Sequence, residues 1–265
     1  MSAALAIAVY LNHCYVAPDR DSFDAAASDP FLSTLFAPFE RRTTRRTDKT
    51  YTGLYYYGAH TYFELLEPGK GFSQAGSGIA FGVEEPGAIA QLGKPEPITR
   101  ALDGQQLPWF QVAGDGDDFA GSGLTTWIME YDPRFLARFY PQLPPKQPGI
   151  ARAQILERYV ARLGQPRALF EDITRLEIAL TPADAAAFAR HCERLGYAVQ
   201  RDDHSFACTG PDLVLHVTPA TAPARLGIAK VTFRLRAPAP QREARRLGSS
   251  TLELDGQTAV WRFTH

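Results

Sequence analysis

The sequence repeats one succession of predicted elements four times, with a period of about sixty residues. The first copy begins with an apolar run over residues 5–17, which has the pattern of a strand, and continues with a helical pattern over residues 19–36. A polar stretch follows, and residues 52–68 then predict two aromatic-rich strands separated by a hairpin turn at residues 58–60. A period of this length exceeds that of a solenoid and is typical of a duplicated βαβββ module.

The same order recurs along the rest of the chain. A second copy is predicted over residues 78–133, with a short helix between its strands. In the second half, a strand over residues 173–182 leads into an amphipathic helix over residues 182–199, which begins at a Thr181 cap. A fourth unit, which also begins with a strand, completes the chain. We therefore predict an α+β fold built from four βαβββ modules.

A proline-rich segment separates the first two modules from the last two. The string PQLPPKQPGI, at residues 141–150, has the composition of an exposed and fairly stiff linker, and a helical pattern over residues 151–163 follows it. The 265 residues, with 45% hydrophobic content, can bury a full core and fit one large or two modest domains. We predict two domains, residues 1–145 and 171–265, joined by a linker and a linking helix over residues 146–170.

Composition narrows the classes of partner. The formal net charge is −1, so the chain offers no basic field to a nucleic-acid backbone. The three cysteines show no C-x-x-C spacing, which argues against a disulfide framework and favours a reducing cytoplasm. The apolar start lacks a basic region and is interpreted as structure, and no stretch approaches the roughly 18 apolar residues of a membrane span. We expect a small-molecule partner, and a monomer or a homodimer.

Three ionisable side chains lie in predicted strands of the first half. His13 lies in the string LNHCYVAPD, Glu64 in TYFELLEP and Glu130 in WIMEYDP. A lone histidine in an apolar strand is usually a core residue, and a strand glutamate usually lies on a solvated face. Glu64, however, interrupts an apolar run and shares a face with Tyr62 through the alternation of a strand. A buried carboxylate without a cation is costly, and this favours a functional role for Glu64.

The aromatic hairpin predicts a wall of tyrosines beside Glu64. If residues 59–60 form the loop, Tyr57 pairs with Tyr62 and Tyr55 pairs with Glu64 across the two strands. The predicted substrate-binding residues are Tyr55, Tyr57, Tyr62 and His60. The alternative is a tyrosine-rich sheet surface that packs against the linker or the second domain.

In their order and spacing, the strings LNHCYVAPD, TYFELLEP, GIAFGVEEP and WIMEYDP resemble the vicinal oxygen chelate superfamily, which includes glyoxalases, extradiol dioxygenases and bleomycin-resistance proteins. The resemblance covers nearly the whole chain as topology and points to the uncharacterised glyoxalase-like branch of bacteria. It implies two tandem domains, each with two modules in one U-shaped mixed sheet. It also implies a divalent metal, Zn, Ni, Mn or Fe, held by His13, Glu64 and Glu130.

The sequence departs from the pattern of that superfamily in two places. The fourth ligand position falls on Gly78; Gln74 or His60 could supply a fourth ligand, but neither stands at a matching position. Aligned without a gap, Glu130 lands opposite Leu65, on the other face of the sheet, and one bulge would return it. The second domain keeps no comparable ligand set, and the resemblance implies that it is degenerate.

The activity implied by the resemblance is that of a metal-dependent lyase or isomerase. The metal would hold two neighbouring oxygens of a small oxygenated substrate, and Glu130 would move a proton as the catalytic residue. A metal-free protein that sequesters a small aromatic compound in a tyrosine-lined cleft is the first alternative. A dioxygenase is the second alternative, and a noncatalytic scaffold is the third.

Overall fold

A computed structural model describes residues 7–45, 50–69, 76–114, 119–142, 150–166, 168–220, 226–239 and 241–264. The fold is α+β, with two curled mixed sheets of eight strands each and few helices. This confirms the predicted fold class.

The first sheet contains the strands of the first two modules. Its strands are β1 (Tyr10–Val16), β2 (Phe39–Arg45), β3 (Thr50–Tyr57), β4 (Tyr62–Leu66), β5 (Ser77–Gly82), β6 (Glu96–Leu102), β7 (Gln105–Ala113) and β8 (Leu124–Tyr131). They lie in the order β2-β3-β4-β1-β5-β8-β7-β6, in which β1 is parallel to β4 and antiparallel to β5, and β5 is parallel to β8. The two modules therefore join through their first strands.

The second sheet repeats this order. Its strands are β9 (Phe170–Leu180), β10 (Ala198–Arg201), β11 (Phe206–Thr209), β12 (Val214–Pro219), β13 (Gly227–Leu235), β14 (Glu243–Leu247), β15 (Ser250–Asp255) and β16 (Thr258–Arg262). They lie in the order β10-β11-β12-β9-β13-β16-β15-β14, with β9 at the place of β1 and β13 at the place of β5. The strands of each sheet lie on one side of the proline-rich segment, and the predicted domain boundaries stay a prediction.

Among the described residues, four α-helices connect or cover the sheets: α1 (Arg20–Ser28), α2 (Pro133–Phe139), α3 (Arg152–Leu163) and α4 (Pro182–Arg194). Helix α4 begins at the predicted cap, where the Thr181 hydroxyl accepts from the Asp184 backbone N–H at 3.3 Å. The second module has a short 3-10 turn at Ala88–Gln91 in the place of a helix. None of the described helices has both the length and the apolar composition needed to cross a bilayer.

One aromatic core joins the two sheets. Phe36 stacks on Phe170 at 5.8 Å and meets the edge of Phe233 at 5.4 Å, and Phe63 lies 5.5 Å from Trp261. Apolar residues of both sheets belong to this single buried cluster. We call the face of the first sheet that enters this cluster the core face, and it carries Cys14, Phe63, Ile79, Phe81 and Ile128.

The opposite face of the first sheet carries the predicted site. We call it the tyrosine face, and it presents His13, Tyr55, Tyr57, Tyr62 and Trp127. Helices α2 and α3 pack over part of it, and Tyr159 of α3 stacks on Tyr57 at 5.3 Å. Arg152, at the start of α3, anchors that helix through ion pairs with Glu84 at 2.8 Å and Asp212 at 2.6 Å. The linking helix therefore covers one end of the tyrosine face.

Candidate functional site

A bulge in β1 turns His13 onto the tyrosine face. The pairing of β1 with β5 shifts between Leu11 and His13, which leaves Asn12 as the extra residue of the bulge. Asn12 Oδ1 lies 2.9 Å from His13 Nδ1 and accepts from the Tyr131 hydroxyl at 3.4 Å, so both side chains point to the same face. A bulge commonly aims a side chain in this way beside a functional site.

Two rows of side chains cross the strands of the tyrosine face. The first row runs through Tyr57, Tyr62, His13, Ala80 and Trp127, and the second runs through Tyr55, Glu64, Tyr15, Gly78 and Thr125. The pairs Tyr57 with Tyr62 and Tyr55 with Glu64 are those that the hairpin pattern predicts. Glu64 therefore lies between two tyrosines of neighbouring strands and diagonally beside His13.

His13 and Glu64 form the polar centre of this face. His13 Nε2 lies 3.7 Å from Glu64 Oε1, and the exposed fractions of the two side chains are 8% and 7%. The His13 ring stacks on Tyr62 with centroids 4.3 Å apart and meets the edge of Trp127 at 5.4 Å. The structure thus brings two of the three predicted metal ligands side by side.

Burial shifts the pKa values of both groups in opposite directions. It lowers the pKa of His13 to about 3, so the imidazole is neutral at pH 7. It raises the pKa of Glu64 to about 7, although the nearby charge of Arg42 and a hydrogen bond from Tyr62 act to lower it. Because the imidazole is uncharged and 3.7 Å exceeds a hydrogen bond, His13 does not neutralise the carboxylate.

Glu130, the predicted third metal ligand and catalytic residue, does not join this pair. The pairing of β8 with β5 and with β7 runs without a shift in register, so the alternation of the strand turns Glu130 to the core face. Its two carboxylate oxygens accept from the backbone N–H groups of Gly87 at 2.7 Å and Ile89 at 3.0 Å. Glu130 caps the 3-10 turn of the second module.

Glu130→Gln is expected to act on stability alone. The amide keeps the shape but replaces one acceptor by a donor, which leaves one backbone N–H of the turn unpaired and costs roughly 1–2 kcal/mol. Urea unfolding at pH 7 measures this loss, and the exposed neighbour Glu85→Gln is the control. Unchanged stability together with loss of a bound metal would restore Glu130 as a ligand.

Aromatic rings lie against Gly78, the position of the missing fourth ligand. A Cβ atom at Gly78 would lie 2.2 Å from Tyr15 Cε1 and 2.9 Å from Trp127 Cζ3. Glycine is therefore required at this place because the Tyr15 ring lies over the backbone of β5. No side chain at residue 78 can reach a metal here without displacing Tyr15.

His60, a predicted substrate-binding residue, also lies away from the His13–Glu64 pair. It is exposed in the β3–β4 turn, where its backbone N–H donates to Asp172 Oδ1 at 2.8 Å and its Nδ1 lies 3.1 Å from Asp172 Oδ2. The hydrogen bond to Asp172 raises the pKa of His60. His60 joins the turn to the second sheet, and Gln74, the other substitute ligand, lies outside the described residues.

The donor set on the tyrosine face does not fit a resident metal. His13 and Glu64 supply two ligands, Glu130 points to the core face, and Gly78 supplies none. Across the described ranges of the chain, no three His, Cys, Asp or Glu side chains are grouped so that they could hold an ion. A divalent site normally needs at least three protein ligands.

The three predicted tyrosines have different surroundings. Tyr62 is half-buried beside His13, whereas Tyr55 and Tyr57 are fully buried. The Arg42 guanidinium lies 4.0 Å from the centre of the Tyr55 ring, and the Tyr57 hydroxyl donates to Glu40 at 2.9 Å. Tyr57 also stacks on Tyr159 of the linking helix.

Sequence reasoning missed several residues of the site: Asn12, Tyr15, Arg42, Trp127 and Tyr131. Alternation along a strand was a usable signal for Tyr15, which lies two residues after His13, and for Tyr131 and Trp127, which share a face of β8. Asn12 required knowledge of the bulge. Arg42 lies on the edge strand β2, where it is mostly buried and is paired with Glu40 at 2.9 Å.

Comparison with known structures concerns the fold alone. A hypothetical protein from Staphylococcus aureus is similar with a TM-score of 0.52 and 7% sequence identity, over 92% of this chain and 97% of that chain. A fusion protein of a xylose isomerase-like TIM barrel and a 4-hydroxyphenylpyruvate dioxygenase gives a TM-score of 0.45 and 13% identity, over 82% of this chain and 33% of that chain. The second likeness is too weak to carry an argument. The fold is compatible with the glyoxalase-like superfamily.

Comparison with curated proteins gave no match. The profile of one sequence family extends over nearly the whole chain, from residue 11 to residue 263. The chain belongs to this family, which is the family of unknown function DUF5829.

Proposed function

We propose that this protein binds a small planar molecule on the tyrosine face, beside His13 and Glu64, and that it does so without a metal. The observation that carries the proposal is a neutral imidazole and a carboxyl group that are held together among aromatic rings and keep a small contact with solvent. A carboxyl group in such surroundings destabilises the fold, and groups with strongly shifted pKa values are concentrated at functional sites.

The side chains around the pair suit a flat ligand. Tyr62 and Trp127 are half-buried and lie on either side of His13, so each has ring surface available. Asn12, His13 and Glu64 supply a few directed polar groups among these rings. A mostly aromatic site with a few convergent polar groups is the common form of a small-molecule site.

The test is a screen of planar compounds by saturation-transfer NMR, with competition to identify compounds that share one site. Compounds that bind the wild-type protein are expected to lose at least tenfold in affinity in Trp127→Ala and His13→Ala, because both changes remove ring surface from the site. The exposed His204→Ala is the matched control and is expected to bind as the wild type does. Affinities that are the same in all four proteins would contradict the proposal.

Elemental analysis of protein purified without a chelator tests the metal-free part of the proposal. We expect less than stoichiometric metal in the wild type and in His13→Ala, because only two ligands converge. Stoichiometric metal in the wild type that is lost in His13→Ala would overturn this part and favour the metal-dependent lyase or isomerase.

Proton transfer by Glu64 is a second candidate function, and it keeps the isomerase or lyase chemistry without the metal. The specific observation is the pKa of Glu64, which burial raises to about 7 and which matches a general base or acid at neutral pH. Carbonyl compounds that bind the site are expected to exchange their α-protons in D2O, and Glu64→Gln is expected to abolish the exchange. Equal exchange in the two proteins would exclude Glu64 as the base.

We also infer that the chain belongs to the glyoxalase-like superfamily and works in the cytoplasm. The strand order supports the first inference, because the first and last strands are parallel neighbours in the first three modules. In the fourth module the corresponding strands, β13 and β16, are antiparallel neighbours. The free state of Cys14, Cys192 and Cys208 supports the second.

A further inference from the structure

The tyrosine face contains one carboxylate whose charge is not matched. Arg42, whose charge acts to lower the pKa of Glu64, is itself paired with Glu40 at 2.9 Å within β2. In the described part of the chain, the one ion-pair contact of Glu64 is with His13, at 3.7 Å. Because this imidazole is neutral at pH 7, ionised Glu64 leaves the face with one negative charge in excess.

Aromatic rings surround this carboxylate on several sides. Tyr55 and Tyr15 are its cross-strand neighbours on β3 and β1, and Tyr62 precedes it by two residues on the same face of β4. Trp127 extends the frame on the far side of Tyr15, with ring centroids 6.1 Å apart. The faces of such rings carry negative potential and attract organic cations, with tryptophan the strongest.

Glu64 and the rings therefore favour the same kind of ligand. A carboxylate in a poorly solvated place gains from a hydrogen-bonded cation far more than from a neutral group. Tyr62 and Trp127 are the half-buried rings of this frame. Tyr62 lies on the same face of β4 as Glu64, and Trp127 lies beside His13 and Tyr15, which are neighbours of Glu64 on β1. A cation that is itself planar satisfies both features at once.

We propose that the ligand of this site is a planar organic cation of the amidinium or guanidinium type, whose N–H groups meet the Glu64 carboxylate while its plane lies against Tyr62 and Trp127. This inference rests on the proposed function, because it names the class of molecule that the same site binds. It excludes planar anions as ligands, since they would face Glu64 without a compensating charge.

The test compares three probes of one shape: benzamidinium, benzamide and benzoate. Isothermal titration calorimetry at pH 8, where Glu64 is mostly ionised, is expected to show benzamidinium binding at least tenfold more tightly than benzamide, and benzoate not binding. In Glu64→Gln the preference for benzamidinium over benzamide is expected to disappear. Glu253→Gln, which removes a half-exposed carboxylate of the second sheet, is the matched control and is expected to keep the preference.

The outcomes separate this inference from the proposed function. If benzamide binds the wild type as tightly as benzamidinium, or if Glu64→Gln keeps the preference, the cation is not the ligand class, while binding of planar molecules stands. If none of the three probes binds and the planar screen gives no Trp127-dependent ligand, both proposals fall. The wild-type ratio alone decides the first case, so the test holds even if Glu64→Gln folds poorly.

Discussion

Glu64→Gln is expected to unfold at a higher urea concentration than the wild type at pH 8, and at nearly the same concentration at pH 4. Burial raises the pKa of Glu64 from 4.5 to about 7, so the folded state binds the proton more tightly than the unfolded state does. The contribution of the protonated carboxyl to stability is complete below pH 4.5 and is lost as the pH rises through 7. At about 1.4 kcal/mol per pH unit, ionisation of Glu64 costs the native state about 3 kcal/mol at pH 8.

The measurement is the difference in unfolding free energy between the two proteins at pH 4, 6 and 8. His13 acts in the opposite direction, because burial lowers its pKa from 6.5 to about 3 and its contribution is lost as the pH falls below 6.5. Both proteins carry His13, so its effect cancels in the difference. Glu253→Gln is the control and is expected to show no such trend. A difference that stays constant from pH 4 to pH 8 would show that the site solvates the ionised carboxylate.

The fold was predictable because its signals are local and repeated. Alternation in each strand and the order of elements in each copy of the module predict an α+β chain of four units, and both sheets have the same strand order. The Tyr57–Tyr62 and Tyr55–Glu64 pairs were predictable for the same reason, since a short hairpin fixes its own register.

The ligand set was not predictable, because it depends on bulges. One extra residue in a strand reverses the face of every side chain beyond it, and no local pattern separates β1, which has a bulge at Asn12, from β8, whose pairing has no shift at Glu130. The bulge in β1 turns His13 to the tyrosine face. The regular pairing of β8 keeps Glu130 on the core face.

The packing of the linking helix over the tyrosine face could not be predicted from the sequence either. The amphipathic pattern of the linking helix predicts an apolar face but not the surface that it meets, because that contact joins segments about a hundred residues apart, such as Tyr57 and Tyr159. Gly78 has a comparable explanation. Residue 78 is glycine because the Tyr15 ring of a neighbouring strand lies against it. The sequence around residue 78 indicates only that a metal ligand is missing there.

Gly78→Ala is expected to be the most disruptive single-methyl change on the tyrosine face. The added Cβ would lie 2.2 Å from Tyr15 Cε1 and 2.9 Å from Trp127 Cζ3, distances that real Cβ atoms do not tolerate. The ring of Tyr15 must leave its place over β5, and overpacking of this kind costs up to about 3 kcal/mol. Because Tyr15 is the cross-strand neighbour of Glu64, the change is also expected to weaken binding of planar probes.

Gly82→Ala is the matched control, since Gly82 lies on the same face of the same strand. A Cβ there would meet Asn12 Cβ at 3.3 Å, which requires a shift of a few tenths of an ångström, and we expect a change within about 1 kcal/mol. A double-mutant cycle of Gly78→Ala with Tyr15→Ala separates crowding from a backbone effect. Crowding predicts that Gly78→Ala costs at least 1 kcal/mol less when Tyr15 is absent. An equal cost in both backgrounds would mean that residue 78 is glycine for a reason other than the Tyr15 ring.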